Sequence, residues 1–184
     1  MSRDHKNTNK IQAFIAALTN CLTGQEASAE YEKLCCFILR FLFPNEFFIF
    51  SEQHSTHDNL YRMDLQVALN GKTKFWRSLK NDYQSRYVVF EFKNYAKVLP
   101  ANMVDLTAKY FCKDANRNVI FLISRKGLSF NARTAAMKHI RNGQLMIELT
   151  DADLIEMLRM KQAYQDPSLH LQRKVDALLM GFSA

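Results

Sequence analysis

The chain has 184 residues, 48% of them apolar and 23% charged, with only 5 Gly and 3 Pro. That size and balance fit one folded domain with a sizeable core and exclude a disordered or low-complexity chain. A net charge of +7 and a pI of about 9.3 favour a polyanionic partner, nucleic acid before an anionic membrane surface.

Residues 1–9 are polar, are expected to carry no secretory leader and are predicted to lie outside regular structure. Apolar residues at 11, 14, 15, 18 and 22 mark one helix face over 10–22, ended by Gly24. A second helix over 28–43 stops before Pro44 and is apolar nearly all round at 34–42, which predicts deep burial. A short strand follows over 47–50, then a polar loop over 51–59. A strand over 61–69 ends in Asn70-Gly71, a hairpin-turn sequence. The more polar segment 72–86 fits no period, and the next strand covers 86–93.

A helix over 101–112, a buried strand over 118–124, a helix over 131–141 and a strand over 144–149 come next. Thr150 with Asp153 forms a variant capping box, and Asp166-Pro167 opens a last helix that runs to Met180. The order is β-β-β-α-β-α-β with helices at both ends, which predicts an α/β protein with a mixed sheet and right-handed crossovers. No run of about 18 apolar residues occurs, so no spanning helix is expected. Cys21, Cys35, Cys36 and Cys112 form no C-x-x-C pair and are expected to be reduced apolar residues of a cytoplasmic protein.

Charge enters this apolar pattern at three points. In Tyr87-Val-Val-Phe-Glu-Phe-Lys93, Glu91 and Lys93 are two apart and share one strand face, while Val88, Phe90 and Phe92 point to the other. A carboxylate and an ammonium in so apolar a strand are costly to bury unless they pair or bind something. With Asp64 on the adjacent strand, two carboxylates and a lysine converge, a set that suits a divalent metal and an activated water. An ordinary Lys93–Glu91 surface pair on a half-exposed sheet is the plainer alternative.

Asp64, then Glu91-Phe92-Lys93-Asn94-Tyr95, then a helix and another apolar strand, resembles the PD-(D/E)xK nuclease superfamily, and the Glu-Phe-Lys-Asn-Tyr run resembles its Mrr-like restriction endonucleases. The resemblance covers roughly residues 31–179. It implies a restriction-endonuclease-like core over 28–180, preceded by an N-terminal helical extension over 1–27, in a single domain over 1–184. It implies Mg²⁺, with Mn²⁺ able to substitute, held by Asp64, Glu91 and the carbonyl of Phe92. It assigns Lys93 to orienting or deprotonating the attacking water. The further glutamate that relatives place on the first core helix maps to Glu32 in Tyr31-Glu32-Lys33-Leu34, although a helical wheel sets Glu30 closer to the apolar face. The glutamine usual on the helix after the motif is missing from 104–110; Lys109 stands there, as a phosphate contact or a surface residue.

The resemblance further implies hydrolysis of DNA to 5′-phosphate products, a homodimer, a prokaryotic cytoplasm, and a role in restriction or phage defence, alone or with a sensor or activator protein. Three rivals stay open: a repair or junction-resolving nuclease, a catalytically inert DNA-binding or scaffold module, and an RNA-cutting toxin. Lys74 and Arg77, interleaved with Phe75 and Trp76, fit phosphate contact and base stacking, or a packed loop with Trp76 in a core. Arg125 and Lys126 follow a buried strand and are phosphate-contact candidates. His54-x-x-His57-Asp58 lacks a further ligand at zinc spacing and is set aside. No phosphate-binding glycine loop, G-x-S-x-G or dinucleotide fingerprint is present.

Overall fold

A computed structural model describes residues 3–55 and 62–181. In chain order the helices are α1 (Arg3–Asn20), α2 (Ser28–Leu42), α3 (Lys74–Asp82), α4 (Ala101–Ala108), α5 (Phe130–Lys138), α6 (Asp151–Gln162) and α7 (Ser168–Met180). The strands are β1 (Phe47–Ser55), β2 (Arg62–Leu69), β3 (Tyr87–Lys93), β4 (Val119–Ser124) and β5 (Leu145–Thr150). They form one sheet in the order β1-β2-β3-β4-β5, antiparallel from β1 to β3 and parallel from β3 to β5. A parallel neighbour needs a crossover, and α4 and α5 supply the two that the sheet requires.

Helices cover both faces, which is why β4, Val-Ile-Phe-Leu-Ile-Ser, is buried throughout. On one face Val67, Phe90, Phe121 and Ile147 pack with side chains of α1, α2, α3, α6 and α7. On the other, Val89, Ile120 and Met146 pack with Val104 of α4 and Ala132 and Ala136 of α5. The alternation of β3 thus sends Val88, Phe90 and Phe92 into the larger cluster and Val89 into the smaller.

Several elements differ from their sequence expectation. The first helix begins at Arg3, because polar residues extend a helix at little cost once its later turns are packed. Its Ile11 and Leu18 are core residues, so the segment expected as an extension contributes to the main cluster. The first strand runs on to Ser55, with Ser51 opposite Gln66 and Ser55 opposite Arg62. A sheet edge has one side in water, so polar residues are tolerated there.

The segment without a period folds as α3, and its Phe75, Trp76 and Leu79 are buried. Gly71, at φ 70, therefore turns the chain into a helix rather than closing a two-residue hairpin. The fourth helix stops at Ala108, and a short 3-10 turn, His139–Asn142, completes α5.

The capping box forms as expected, with the Thr150 N–H donating to Asp153 Oδ2 at 2.7 Å and Thr150 Oγ1 accepting from the Asp153 N–H. Among the described residues all four cysteines are free, and burial pushes the Cys35 and Cys36 thiols up. No helix of the described residues is long and apolar enough to cross a membrane.

Candidate active site

The charged residues singled out above meet where the start of β2 passes the end of β3. Leu65 lies opposite Phe90 in the antiparallel register, and one step further along that register sets Asp64 beside Glu91. The Phe92 N–H donates to Asp64 Oδ2 at 2.9 Å. Lys93 Nζ donates to Glu91 Oε1 at 2.5 Å. Glu91 is 4% exposed, and its second oxygen, Oε2, is buried with no hydrogen-bond partner.

The electrostatics follow from this crowding. Burial, with the Asp64 charge beside it, pushes the Glu91 carboxyl up to about 7 against the pull of Lys93. Burial likewise raises Asp64, resisted by the Phe92 N–H and by Lys93. Burial disfavours the Lys93 ammonium, but the charge and hydrogen bond of Glu91 outweigh it and lift the amine above its ordinary value. The spot therefore holds one cation and two carboxyl groups that ionise less readily than they do in water.

The surroundings are only partly those expected. Lys109, at the end of α4, lies within electrostatic reach of Glu91, with its ammonium 5.1 Å from the Tyr110 ring centre. Tyr110 donates its hydroxyl to the Arg62 carbonyl at 2.7 Å. Its phenol is pushed up by burial and by Glu91 and Asp64. Glu30 is exposed. Glu32 is half-buried and is raised by burial and then by the Asp64 charge, so it is the helix glutamate on this side. Its Oε1 accepts from Gln53 Nε2. Gln53 holds a φ of 52, rare for a residue with a side chain, and its own Oε1 is buried and unpartnered.

The structure does not bring the remaining candidates to this spot. The helix that carries Lys74 and Arg77 joins the far ends of β2 and β3, five residues from Asp64 and so ~17 Å along the strand. Arg77 donates to the carbonyls of Gly71 and Lys72 at 3.2 and 2.9 Å. Trp76 is fully buried against Phe43, Phe47 and Phe75 at centroid distances of 5.0, 5.1 and 5.0 Å, which ends the base-stacking alternative for it.

Arg125, expected at a phosphate, is an internal bolt instead. Its guanidinium pairs with Asp151, donates to the carbonyls of Cys21 and Leu18 at 2.9 and 3.1 Å and to Asn94 Oδ1 at 3.1 Å, and lies 5.0 Å from the Tyr31 ring centre. Lys126 is exposed on the loop after β4, with Asp151 in electrostatic reach. His54 meets Ser51 Oγ at 3.2 Å, and His57 and Asp58 lie outside the described residues.

The sequence marks neither Gln53, which lies in β1 where a polar loop is expected, nor Tyr110, which follows the end of α4 where the helix is expected to continue. Among the described residues no three His, Cys, Asp or Glu side chains close on a common point. Of the expected ligands Asp64, Glu91 and Glu32, the first two adjoin, while Glu32 Oε1 accepts from Gln53 with Asp64 in electrostatic reach. The groups at the pair itself still suit a hard divalent cation: two carboxylates, one with a buried oxygen that has no donor, beside the Phe92 backbone. Mg²⁺ keeps several waters and needs only one or two protein carboxylates.

No family model and no solved structure matches the chain. Over 78 residues it is 31% identical to a protein of Escherichia coli (strain K12) whose name is that of an 80.3 kDa protein of the transposon gamma-delta. The match covers 42% of this chain and only 11% of that protein.

Proposed function

We propose that the chain is a Mg²⁺-dependent nuclease that hydrolyses DNA phosphodiester bonds at Asp64, Glu91 and Lys93. The observation that carries this reading is Glu91: a carboxylate 4% exposed, with one oxygen on Lys93 and the other without a donor, beside the Asp64 carboxylate. Leaving a buried acceptor unsatisfied costs about 1–3 kcal/mol, a cost a fold keeps where a ligand will meet it. The resemblance to Mrr-like PD-(D/E)xK nucleases and the charge of +7 agree on a phosphate substrate, and the mixed α/β sheet is compatible with a restriction-endonuclease-like core.

In this reading Asp64, Glu91 and the Phe92 carbonyl hold the cation, and Mn²⁺ can take its place. When bound, Mg²⁺ supplies positive charge to the phosphate under attack and makes water more acidic. The Phe92 N–H fixes the rotamer of Asp64. Glu91 holds Lys93 Nζ within a hydrogen bond of the reacting centre. The Lys93 ammonium orients the attacking water and offsets charge on the phosphate oxygens. Lys109, within electrostatic reach of Glu91, is the phosphate contact at the margin, and Glu32 adds a carboxylate on the Asp64 side.

The biological setting proposed is a prokaryotic restriction or phage-defence effector, a homodimer, alone or with an activator. A second reading, a nuclease of recombination or repair with the same chemistry, is favoured by one observation: the E. coli relative bears the name of a transposon protein.

Cleavage of supercoiled plasmid tests the proposal. We expect nicking or linearisation with Mg²⁺ or Mn²⁺, none with EDTA, none from Asp64→Ala, and a loss of about 10²–10⁴-fold from Lys93→Ala with DNA binding retained. Cutting by Asp64→Ala equal to wild type would overturn the assignment.

A further inference from the structure

Beside Lys93 opens a cleft of about 510 Å³, within the roughly 300–1,000 Å³ typical of small-ligand sites. Lys93 and Tyr95 form one wall, at the end of β3, and Gly24, Gln25 and Ser28 form the other, between α1 and α2. The two walls come from chain segments about seventy residues apart, and the contacts between them make the cleft a built feature. Asn94, buried between them, donates its amide to the Leu22 and Gly24 carbonyls at 2.9 and 3.1 Å. The Gly24 N–H returns a bond to the Asn94 carbonyl at 2.8 Å. The Arg125 guanidinium, 9% exposed, grips Asn94 Oδ1 and the Cys21 carbonyl from behind.

The chemistry of the cleft is specific. Lys93 lines the cleft with its ammonium held by Glu91 just behind the wall, no carboxylate lines the cleft itself, and Tyr95 is 47% exposed. Gln25 is exposed beside it, with an amide that can both donate and accept. A cation, an accessible aromatic face and an amide are what phosphate, base face and base edge require of a protein. Because Lys93 lines the cleft, a strand whose phosphate meets Lys93 has this opening beside it for one of the two nucleotides that the phosphate joins.

We propose that the cleft seats one unpaired nucleotide of the DNA strand being cut, adjoining the phosphate at Lys93, with its base stacked on Tyr95 and its edge facing Gln25. The proposal rests on the nuclease reading for the identity of the strand. A paired base has to leave its stack to enter, at a cost of a few kcal/mol. The protein therefore prefers single-stranded, gapped or flapped DNA, or extrudes a base from a duplex.

Binding in EDTA tests this apart from catalysis. The full chain is titrated against a single-stranded 20-mer and against its blunt duplex, both labelled for fluorescence anisotropy. A second single strand carries 2-aminopurine. We expect the single strand to bind more tightly than the duplex, and 2-aminopurine emission to be quenched on binding. Tyr95→Ala should weaken single-strand binding about tenfold, as loss of one base–aromatic stack does. The same variant should weaken duplex binding less than twofold and lose the quenching. Tyr95→Phe, which keeps the ring, should behave as wild type.

Equal weakening on both DNAs, or unchanged binding and quenching in a folded Tyr95→Ala, would overturn the proposal. If Tyr95→Ala is inert while Asp64→Ala abolishes plasmid cutting, the inference falls and the nuclease reading stands. If stacking on Tyr95 is found but Asp64→Ala still cuts, the site assignment falls and the cleft stands.

Discussion

Two glutamates, one at each end of the β2–β3 pair, are nearly equally buried and do opposite things. Glu46, 3% exposed, lies at the end where β2 turns into α3. Its two oxygens accept from the Lys72 and Thr73 N–H groups at 3.0 and 2.9 Å. Glu91, 4% exposed, lies at the other end. It has Lys93 on one oxygen and no partner on the other. Burial of a carboxylate therefore does not mark a site in this molecule. Unmet hydrogen-bonding capacity next to a second carboxylate and a lysine is what sets the Glu91 candidate apart. Glu46 closes a turn and holds the N-terminal end of α3, where the Thr73 side chain makes no cap. Glu91 keeps one oxygen without a hydrogen-bond donor.

The sharpest way to break this contrast is to neutralise each glutamate. Glu91→Gln should lower plasmid cutting at least about a hundredfold, since a lost metal ligand removes several kcal/mol of charge stabilisation, and the protein should still melt cooperatively. Glu46→Ala should do the reverse. Removing the acceptor for two backbone N–H groups costs about 2–4 kcal/mol of stability, read by denaturant unfolding, while cutting per folded molecule stays near wild type. Loss of stability alone in Glu91→Gln would make the two glutamates alike and remove the central observation.

Titration gives a smaller effect with a fixed sign. Glu91 stands at about 7 against an ordinary 4.5. Between those values the folded chain holds a proton that the unfolded chain releases. This contribution to stability is complete below pH 4.5 and is lost as pH rises through 7. Asp64 is also raised and acts with the same sign. The melting temperature of wild type should therefore fall with rising pH across that window relative to Glu91→Gln, in which only the Asp64 part remains. Cutting should rise through the same window, because the cation needs the ionised carboxylate. Parallel melting curves for the two proteins would contradict the raised value.

The smallest effect is expected at Lys74, on the structural end. Lys74→Ala should change stability by no more than about 0.5 kcal/mol and leave cutting and DNA affinity unchanged. A tenfold loss of affinity would return α3 to the DNA interface.

Much of the site was legible in the sequence because it depends on short-range periodicity. Two residues on a strand share a face whatever the rest of the fold does, which paired Glu91 with Lys93. A hairpin-like order of strands put Asp64 on the neighbouring strand. The capping box of α6 is likewise a three-residue relation. Legibility failed where a residue's partner is distant in sequence. Arg125 resembles a phosphate contact by its place after a buried strand, yet its partners are Leu18, Cys21, Asn94 and Asp151. The helical wheel of α2 favoured Glu30, because it follows the centre of the apolar stripe. The packing of α2 instead turned Glu32 toward Asp64. The α3 segment hid its helix because a nine-residue element among cations shows too few turns for a period to stand out.

By itself the sequence determined the α/β class, the helix and strand order after Lys93, and the shared face of Glu91 and Lys93. These follow from local propensity and from the two- and 3.6-residue periods of backbone geometry. Tertiary structure alone decided that α1 belongs to the core, that Trp76 is packed away from the surface, that Arg125 binds the walls of a cleft together, and that Glu91 Oε2 is left without a partner. Each of these depends on which distant segments fill the space around a side chain, and no local period encodes that.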